Sequence, residues 1–403
     1  MATGPGPRLA SAFRRVAGGF AVPLGSVVFA FAVGGLIVAI TGGNPFAAYQ
    51  GLMCGGLGIG CANGENSALQ ISTTIVFFTP LLMTGVAVAL PFRAGLFNIG
   101  AEGQLLAGSV ACTVIGIKFS GLPAPILLPM VLLGGTLAGA IWAGVPGVLK
   151  ATIGAHEVVT TIMLNYVAQW LVRYLIVGGP LQASNGFSAS SPIGAGARLP
   201  LFLPNDPGLI IFGLPAGVYR VHTGLLIGLA ALVIFAILLW RTSLGYEIRA
   251  VGQSQRAARY GGINVARTII VTMLIAGAFS GLAGAIQIAG VDHNLTDKYF
   301  NDTTGFDAIA VALLGLGSAV GILFASILFG ALHAGGSVMQ ADAGISSSLV
   351  QILQALILFS IAANFLRVLR LPAFGRRPSA PAPTAPAAAL MTEAAKAPTG
   401  ETT

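Results

Sequence analysis

Two stretches set polar or ionisable residues and glycines into otherwise apolar sequence, and the chemistry of this chain concentrates there. FRAGLFNIGAEGQLLAG (92–108) carries Asn98, Glu102 and Gln104 beside Gly95 and Gly100; DTTGFDAIAVALLGLGSAVG (302–321) carries Asp307 among Gly305, Gly315 and Gly317. Amides and carboxylates so placed can hydrogen-bond a passing solute, or cap the first turn of a helix, where negative charge is favoured. Neither stretch supplies a catalytic set. None of the four lysines follows a glycine, so the phosphate loop G-x-x-x-x-G-K-[ST] is absent. His156-Glu157 lacks the second histidine of H-E-x-x-H, and the remaining histidines, 222, 293 and 333, are scattered. His333, the one histidine deep in an apolar run, reads as a satisfied packing residue.

A third stretch, RTSLGYEIRAVGQSQRAARYGGINVART (241–268), reads as a short amphipathic helix, a Tyr-Gly-Gly turn at 260–262 and a second short helix. Its arginines suit a phospholipid headgroup layer. Leu244, Tyr246, Ile248, Ala250 and Val251 also give it an apolar side, which suits docking in a partner's groove. Composition alone leaves the two explanations level.

The elements that hold these stretches follow from composition. The 403 residues are 55% hydrophobic and 8% charged, with a mean hydropathy of +0.88. A soluble domain carries about 25% charged residues, so this chain cannot cover a globular surface with charge. It is expected to be an integral membrane protein, which excludes a soluble enzyme and a nucleic-acid-binding domain despite a pI near 9.8. The 56 glycines and 22 prolines do not argue against helices, because both residues are commoner in membrane spans than in soluble helices.

A span needs about 20 mostly apolar residues. Eight runs meet this, near 20–40, 71–90, 125–149, 158–177, 222–240, 268–290, 319–338 and 348–366, and two shorter apolar segments lie at 104–118 and 305–315. The fold class expected is all-α and polytopic: about ten transmembrane helices, both termini inside. Positive residues should fall on alternate loops, and they do. Arg8, Arg14, Arg15, Arg93, Lys150, Arg241, Arg249, Arg256, Arg259, Arg267, Arg367, Arg370, Arg376, Arg377 and Lys396 group on one side, fifteen of the twenty Lys and Arg. Lys118, Arg173, Arg198, Arg220 and Lys298 fall on the other, with Glu65, Asp206, Asp292, Asp297, Asp302 and Asp342. The net charge of +8 therefore reports topology.

This parity divides the chain into an inner N-terminal arm (1–19), a transmembrane domain (20–368) with an outer loop at 178–221 and an inner loop at 241–267, and a Pro/Ala-rich tail (369–403) expected to be disordered. Two glycine-interrupted short segments in the two halves point to an inverted repeat with a central path; two tight turns are the plainer alternative. The ionisable residues Glu102, Glu157, Arg173 and Asp307 lie at span ends, which disfavours an ion-coupled carrier. Energy for transport would then come from another polypeptide. Gly135/Gly139 and Gly277/Gly281 are small-residue steps suited to close helix packing. Cys54 and Cys61, in the first outer loop, are either bridged or two thiols in a buried re-entrant segment; Cys112 reads as packing.

Four stretches in order, GLFNIGAEGQ (95–104), HEVVTTIMLNYVA (156–168), SLGYEIRAVGQSQRAARYGGI (243–263) and GFDAIAVALLG (305–315), resemble the permease subunits of bacterial ATP-binding-cassette importers of the ribose and branched-chain amino-acid superfamily. The nucleoside-type permeases served by basic-membrane-protein-like lipoprotein receptors look nearest, and the resemblance covers about 20–368. It implies a non-enzymatic permease in a bacterial cell membrane that binds no cofactor and no nucleic acid, only membrane lipid and protein partners. Those partners would be ATPase subunits that use the ATP, a homologous second permease and an extracytoplasmic lipoprotein receptor. The A-E-G-Q form after Asn98 looks like the larger of two paralogous permeases, so the resemblance implies a heterodimer. It also implies a substrate path near Phe97, Asn98, Glu102, Gln104, Phe306 and Asp307, and a coupling helix at Leu244, Gly245, Tyr246, Glu247, Arg249, Ala250 and Gly252 that seats on the ATPase. The cargo implied is a nucleoside; a simple sugar or branched-chain amino acid carried by the same machine is the alternative, and an ion-coupled secondary carrier a more distant one.

Overall fold

The computed structural model describes residues 6–61, 66–184, 186–202, 210–211, 214–215, 219–300 and 303–362, with backbone alone at 6–22, 210–211, 214–215 and 300. Glu65, Asp206, Asp302, the basic residues from Arg367 onward and the tail at 369–403 lie outside the described residues. Thirteen α-helices are described: α1 (Gly6–Ile40), α2 (Pro45–Leu57), α3 (Ser67–Arg93), α4 (Ala101–Lys118), α5 (Ala124–Ile153), α6 (Glu157–Ile176), α7 (Gly224–Arg241), α8 (Ser243–Gln253), α9 (Gln255–Tyr260), α10 (Val265–Gln287), α11 (Thr304–Leu314), α12 (Ala319–Ala343) and α13 (Ser348–Ala362). A π-helical turn, Ile288–Asp292, extends α10. The only extended elements among the described residues are two-residue strands, Ile210–Ile211 and Leu214–Pro215, and isolated bridges.

Six of these helices are long and apolar enough to cross a membrane: α1 from Pro23, α3, α5, α7, α10 with its extension, and α12. The chain is a polytopic membrane protein. Helices α11 and α13 are apolar and shorter. Side-chain caps mark many starts. Asn44 accepts from Phe46 N–H (3.0 Å) ahead of Pro45 at the first helical position, and Asn66 accepts from Ala68 N–H (3.0 Å). Asn264 and Ser318 do the same for α10 and α12, at 3.0 and 3.2 Å.

Three expectations change. The arm at 1–19 is continuous with the first span, because α1 begins at Gly6 and runs through Pro23 without a break. The first outer loop contains a helix, α2, packed on α12: Gly51 lies against Met339 Cα, and Gly55 against Gly335 Cα. A Cβ at either place would come within 2.7 and 2.8 Å of those atoms, so glycine is what permits the approach. Cys54 sits within α2 and is joined to Cys61 in a disulfide, which decides for the bridged alternative over two unpaired thiols. The outer loop, finally, is tied to the end of α10 by backbone bonds from Ser190 to Leu295 (2.7 Å), Ile193 to His293 (2.8 Å) and Leu199 to Ala289 (2.8 Å).

The tightest crossing joins α5 to α10. A Cβ on Gly139 would collide with the Gly277 carbonyl, and one on Gly281 with the Gly135 carbonyl. The expected small-residue steps therefore face each other, and α4 joins them where Gly108 rests on Gly281. Lipid is as apolar as the helices, so association rests on such close contact and on buried polar links. One such link is Ser360 Oγ donating to Ser26 Oγ at 3.1 Å, which joins α13 to α1.

Candidate functional site

The first turn of α4 leaves backbone N–H groups without an intrahelical partner, and amide side chains supply one. Asn98 and Gln104 bond reciprocally, Gln104 Nε2 to Asn98 Oδ1 at 2.9 Å and Asn98 Nδ2 to Gln104 Oε1 at 3.2 Å, while Asn98 Oδ1 also accepts from Gly100 N–H (3.1 Å). Asn165 of α6 accepts from Gly103 N–H and donates to the Ile99 carbonyl, both at 2.8 Å. Asn165 was not singled out in sequence; its signal was an amide within the apolar HEVVTTIMLNYVA stretch. All four side chains, Asn98, Glu102, Gln104 and Asn165, are buried.

Glu102 then reaches the second half of the molecule. Its Oε2 accepts the Gly305 N–H at 2.7 Å, at the start of α11. The two helix starts abut so closely that a Cβ on Gly305 would collide with the Glu102 backbone. The sequence pairing of short segments thus becomes a contact 203 residues apart in the chain.

A cavity of about 740 Å³ opens beside this junction. One face of α3 lines it (Leu69, Ser72, Thr73, Val76, Phe77, Pro80), with Leu105, Gln287, Val291, Thr303, Thr304 and His333. Arg220, Asp292 and Lys298 complete it. Asp292 is engaged: it pairs with Lys298, accepts from Tyr299 OH, and accepts from Gln287 Nε2 at 3.1 Å. None of the six residues expected on the path is in this wall. Asn98, Glu102 and Gln104 are turned into the junction; their helical neighbour Leu105 faces the cavity instead. Phe97 and Phe306 are exposed, Phe97 tilted on Phe92 at 5.2 Å. Asp307 stands behind His333, its Oδ2 lying 2.9 Å from His333 Nε2. His333 is consequently more than packing: it is paired, it stacks on Phe77, and it faces the cavity. The signal missed was its partner, 26 residues away and on another helix.

The other end of α11 is held differently. The chain leaves α11 through Leu316 (φ 51°) and Gly317 (φ 60°), both in the left-handed region. Arg93, at the end of α3, donates to the carbonyls of Leu316 (2.9 Å) and Gly317 (2.9 and 3.2 Å). Its guanidinium lies 6.0 Å from the Trp240 ring, and Arg249 of α8 lies 4.5 Å from the same ring. Gly252 of α8 packs on the Arg93 carbonyl with no room for a Cβ. Helix α8 is capped by Thr242, which accepts from Gly245 N–H at 3.0 Å. Its apolar side faces this chain, which corrects the expected outward apolar surface: Gly245, Ile248 and Val251 are buried. Leu244, Glu247, Arg249 and Ala250 are half-buried, Glu247 accepting from Thr268 Oγ1 at 3.3 Å, while Tyr246 and Gly252 are exposed. The reason is spacing, since 245, 248 and 251 form one helical stripe.

At the opposite rim, just before α7, burial pushes the His222 imidazole down to about 4, with His293 adding repulsion. Neutral His222 accepts from Gly224 N–H at Nδ1 (3.1 Å). Among the described residues no group of three or more His, Cys, Asp or Glu could hold a metal ion.

Two helix starts that meet beside a cavity, within a bundle of membrane-spanning helices, are the arrangement of a transport-type membrane protein. The chain belongs to the family described as branched-chain amino acid transport system / permease component, which matches residues 70–362. It is 37% identical over 344 residues to the Guanosine ABC transporter permease protein NupP of Bacillus subtilis, covering 85% of this chain and 93% of that protein. The Glucose ABC transporter permease protein TsgB13 of Haloferax volcanii is 38% identical over 361 residues, 89% of this chain and 91% of that one. The Nucleoside ABC transporter permease protein NupB of Lactococcus lactis is 36% identical over 354 residues, 87% and 93% of the two chains. No solved structure matches the chain.

Proposed function

We propose that this chain is the permease subunit of an ATP-driven nucleoside importer of a bacterial cell membrane. It would cross the membrane about ten times with both termini inside, as two inverted halves, and pair with a homologous second permease. The observation that carries the proposal is mechanical. Helix α11 begins beside the cavity, where Gly305 meets Glu102 and Asp307 stands behind His333, and its far end is held by Arg93, which shares the Trp240 ring with Arg249 of the coupling segment. Cytoplasmic ATPase subunits would bind ATP and push on α8 through Tyr246, Gly252 and the adjoining residues Leu244, Gly245, Glu247, Arg249 and Ala250. Movement of α8 is then passed to α11 and alternates access to the cavity. Phe97 and Phe306, exposed on this chain, would complete the path against the second permease, and a lipoprotein receptor would deliver cargo. This chain contributes no ATP chemistry and holds no cofactor.

Relatives named for guanosine and nucleoside transport support the cargo, as does the aromatic pair Phe77 and His333 in the cavity. The glucose-named relative, equally similar, favours a second cargo, a simple sugar. Uptake by the reconstituted importer of labelled guanosine against labelled glucose separates them. The double variant Tyr246→Ala/Arg249→Ala is expected to insert normally and to lose uptake while ATP hydrolysis continues; normal uptake would sink the coupling assignment.

A further inference from the structure

His333 is the shared wall of two spaces. One is the 740 Å³ cavity; the other, of about 270 Å³, is lined by uncharged hydroxyl and amide residues, Ser337, Gln340, Ser347 and Gln351, with Gly336 and Val350. The imidazole is fixed on two sides. Its Nε2 is 2.9 Å from Asp307 Oδ2, an oxygen that also accepts from Thr303 Oγ1 at 3.3 Å. The ring stacks on Phe77, centroids 5.6 Å apart and planes at 18°. With a neutral imidazole whose Nε2–H donates to Asp307 Oδ2, Nδ1 is left as an in-plane acceptor. A flat aromatic pair with one in-plane acceptor, beside a chamber of neutral hydroxyls and amides, has two chemically different halves.

We infer that Phe77 and His333, with Asp307 positioning the imidazole, take the planar nitrogen heterocycle of the cargo, and that the Ser337–Gln340–Ser347–Gln351 chamber takes its hydroxyl-bearing sugar. The inference rests on the nucleoside reading and adds which part of the path selects the base. Stacking on Phe77 tolerates any base, because each has a π face, whereas the His333 acceptor favours a base presenting an N–H in its plane. Charge agrees. Asp292 and Lys298 pair with each other in the large cavity, and Arg220, the remaining charged liner, is exposed, so an uncharged solute is not opposed by a buried unpaired charge there.

The receptor sets the concentration dependence of uptake, so selection by the permease is read in maximal rates at saturating cargo. In proteoliposomes holding the complete importer, maximal uptake of labelled guanosine and of labelled purine riboside, whose base bears no N–H, is compared for the unaltered protein, Phe77→Leu, Phe77→Tyr and His333→Gln. His333→Gln is expected to shift the guanosine-to-purine-riboside ratio roughly tenfold, the scale of losing one hydrogen bond. Phe77→Leu should slow both nucleosides, and Phe77→Tyr, which keeps the ring, should restore them. An unchanged ratio in His333→Gln, or equal loss in Phe77→Leu and Phe77→Tyr, overturns the inference while the nucleoside reading stands. Uptake of glucose and of neither nucleoside by the unaltered importer overturns the nucleoside reading itself.

Discussion

The two ends of α11 are secured by opposite chemistry. At its start, two carboxylates gather: Glu102 accepts the Gly305 N–H, and Asp307 occupies the first turn. At its finish, a guanidinium gathers two carbonyls, those of Leu316 and Gly317. Each end thus meets the charge its helix dipole favours, and the partner that reaches it comes from α4 at the start and α3 at the finish. An 11-residue helix is too short to be stable alone or to span a bilayer. Its position is therefore set by what holds its ends: one end is enclosed, and the other is held by Arg93, on which Gly252 of α8 also packs. An element held in this way moves when either clasp moves, without any change in its own hydrogen bonding.

The most damaging test of that difference strikes the enclosed end. Gly305→Val places a side chain in the Glu102 backbone, and overpacking of this kind costs about 1–3 kcal/mol or more where backbone is the neighbour. Loss of uptake and a lowered thermal midpoint in detergent are expected; wild-type values for both would mean the junction is loose. Arg93→Ala strikes the other end. It is expected to cut uptake roughly tenfold while leaving most of the ATP hydrolysis, because the guanidinium supplies charged hydrogen bonds of about 1.5–3 kcal/mol. A parallel fall of hydrolysis and uptake would show that Arg93 serves folding alone.

Away from both ends, the outer rim serves as a control. His222 has its pKa lowered to about 4 against about 6.5 unfolded, so the unfolded chain binds the extra proton between those values. Stability should be complete above about pH 6.5 and fall as pH drops toward about 4, by an amount on the order of 3 kcal/mol, with His222→Asn flattening the profile. If the midpoint stays constant over that range, the imidazole is not held neutral. The smallest effect is expected from Cys54→Ser/Cys61→Ser. A bridge closing so short a loop contributes roughly 2 kcal/mol, and α2 keeps its glycine seat on α12, so a shift of a few degrees with uptake retained is expected. Abolished uptake would mean that the bridge, and not packing, holds α2.

Much of the architecture was visible in linear sequence. The eight apolar runs and two short segments coincide with helices α1, α3 to α7 and α10 to α13 to within a few residues, apart from the longer start of α1. Helix α2 escaped because 13 glycine-rich residues neither span a membrane nor look helical by propensity; its stability comes from α12. The polar stretch at 98–104 was recognised as special, yet which of its faces meets solvent was not. Asn98, Glu102 and Gln104 turn inward because helix starts need acceptors: Asn98 and Asn165 serve the start of α4, and Glu102 serves Gly305 at the start of α11, far along the chain. The short helix at 243–253 was legible in sequence, whereas which way its apolar side faces was not, because a stripe at 245, 248 and 251 fits this chain's own spans as well as a partner.

What the sequence by itself determined was solvent: too few charges for water and apolar runs of span length. Hydrophobicity and charge act through local composition, so a linear reading captures them. The tertiary structure alone decided which polar groups are spent and which face a cavity. Glu102 meets Gly305, Arg93 meets Gly317 and His333 meets Asp307 only after helices distant in sequence pack together, since a hydrogen bond is fixed by about 3 Å of space and not by distance along the chain.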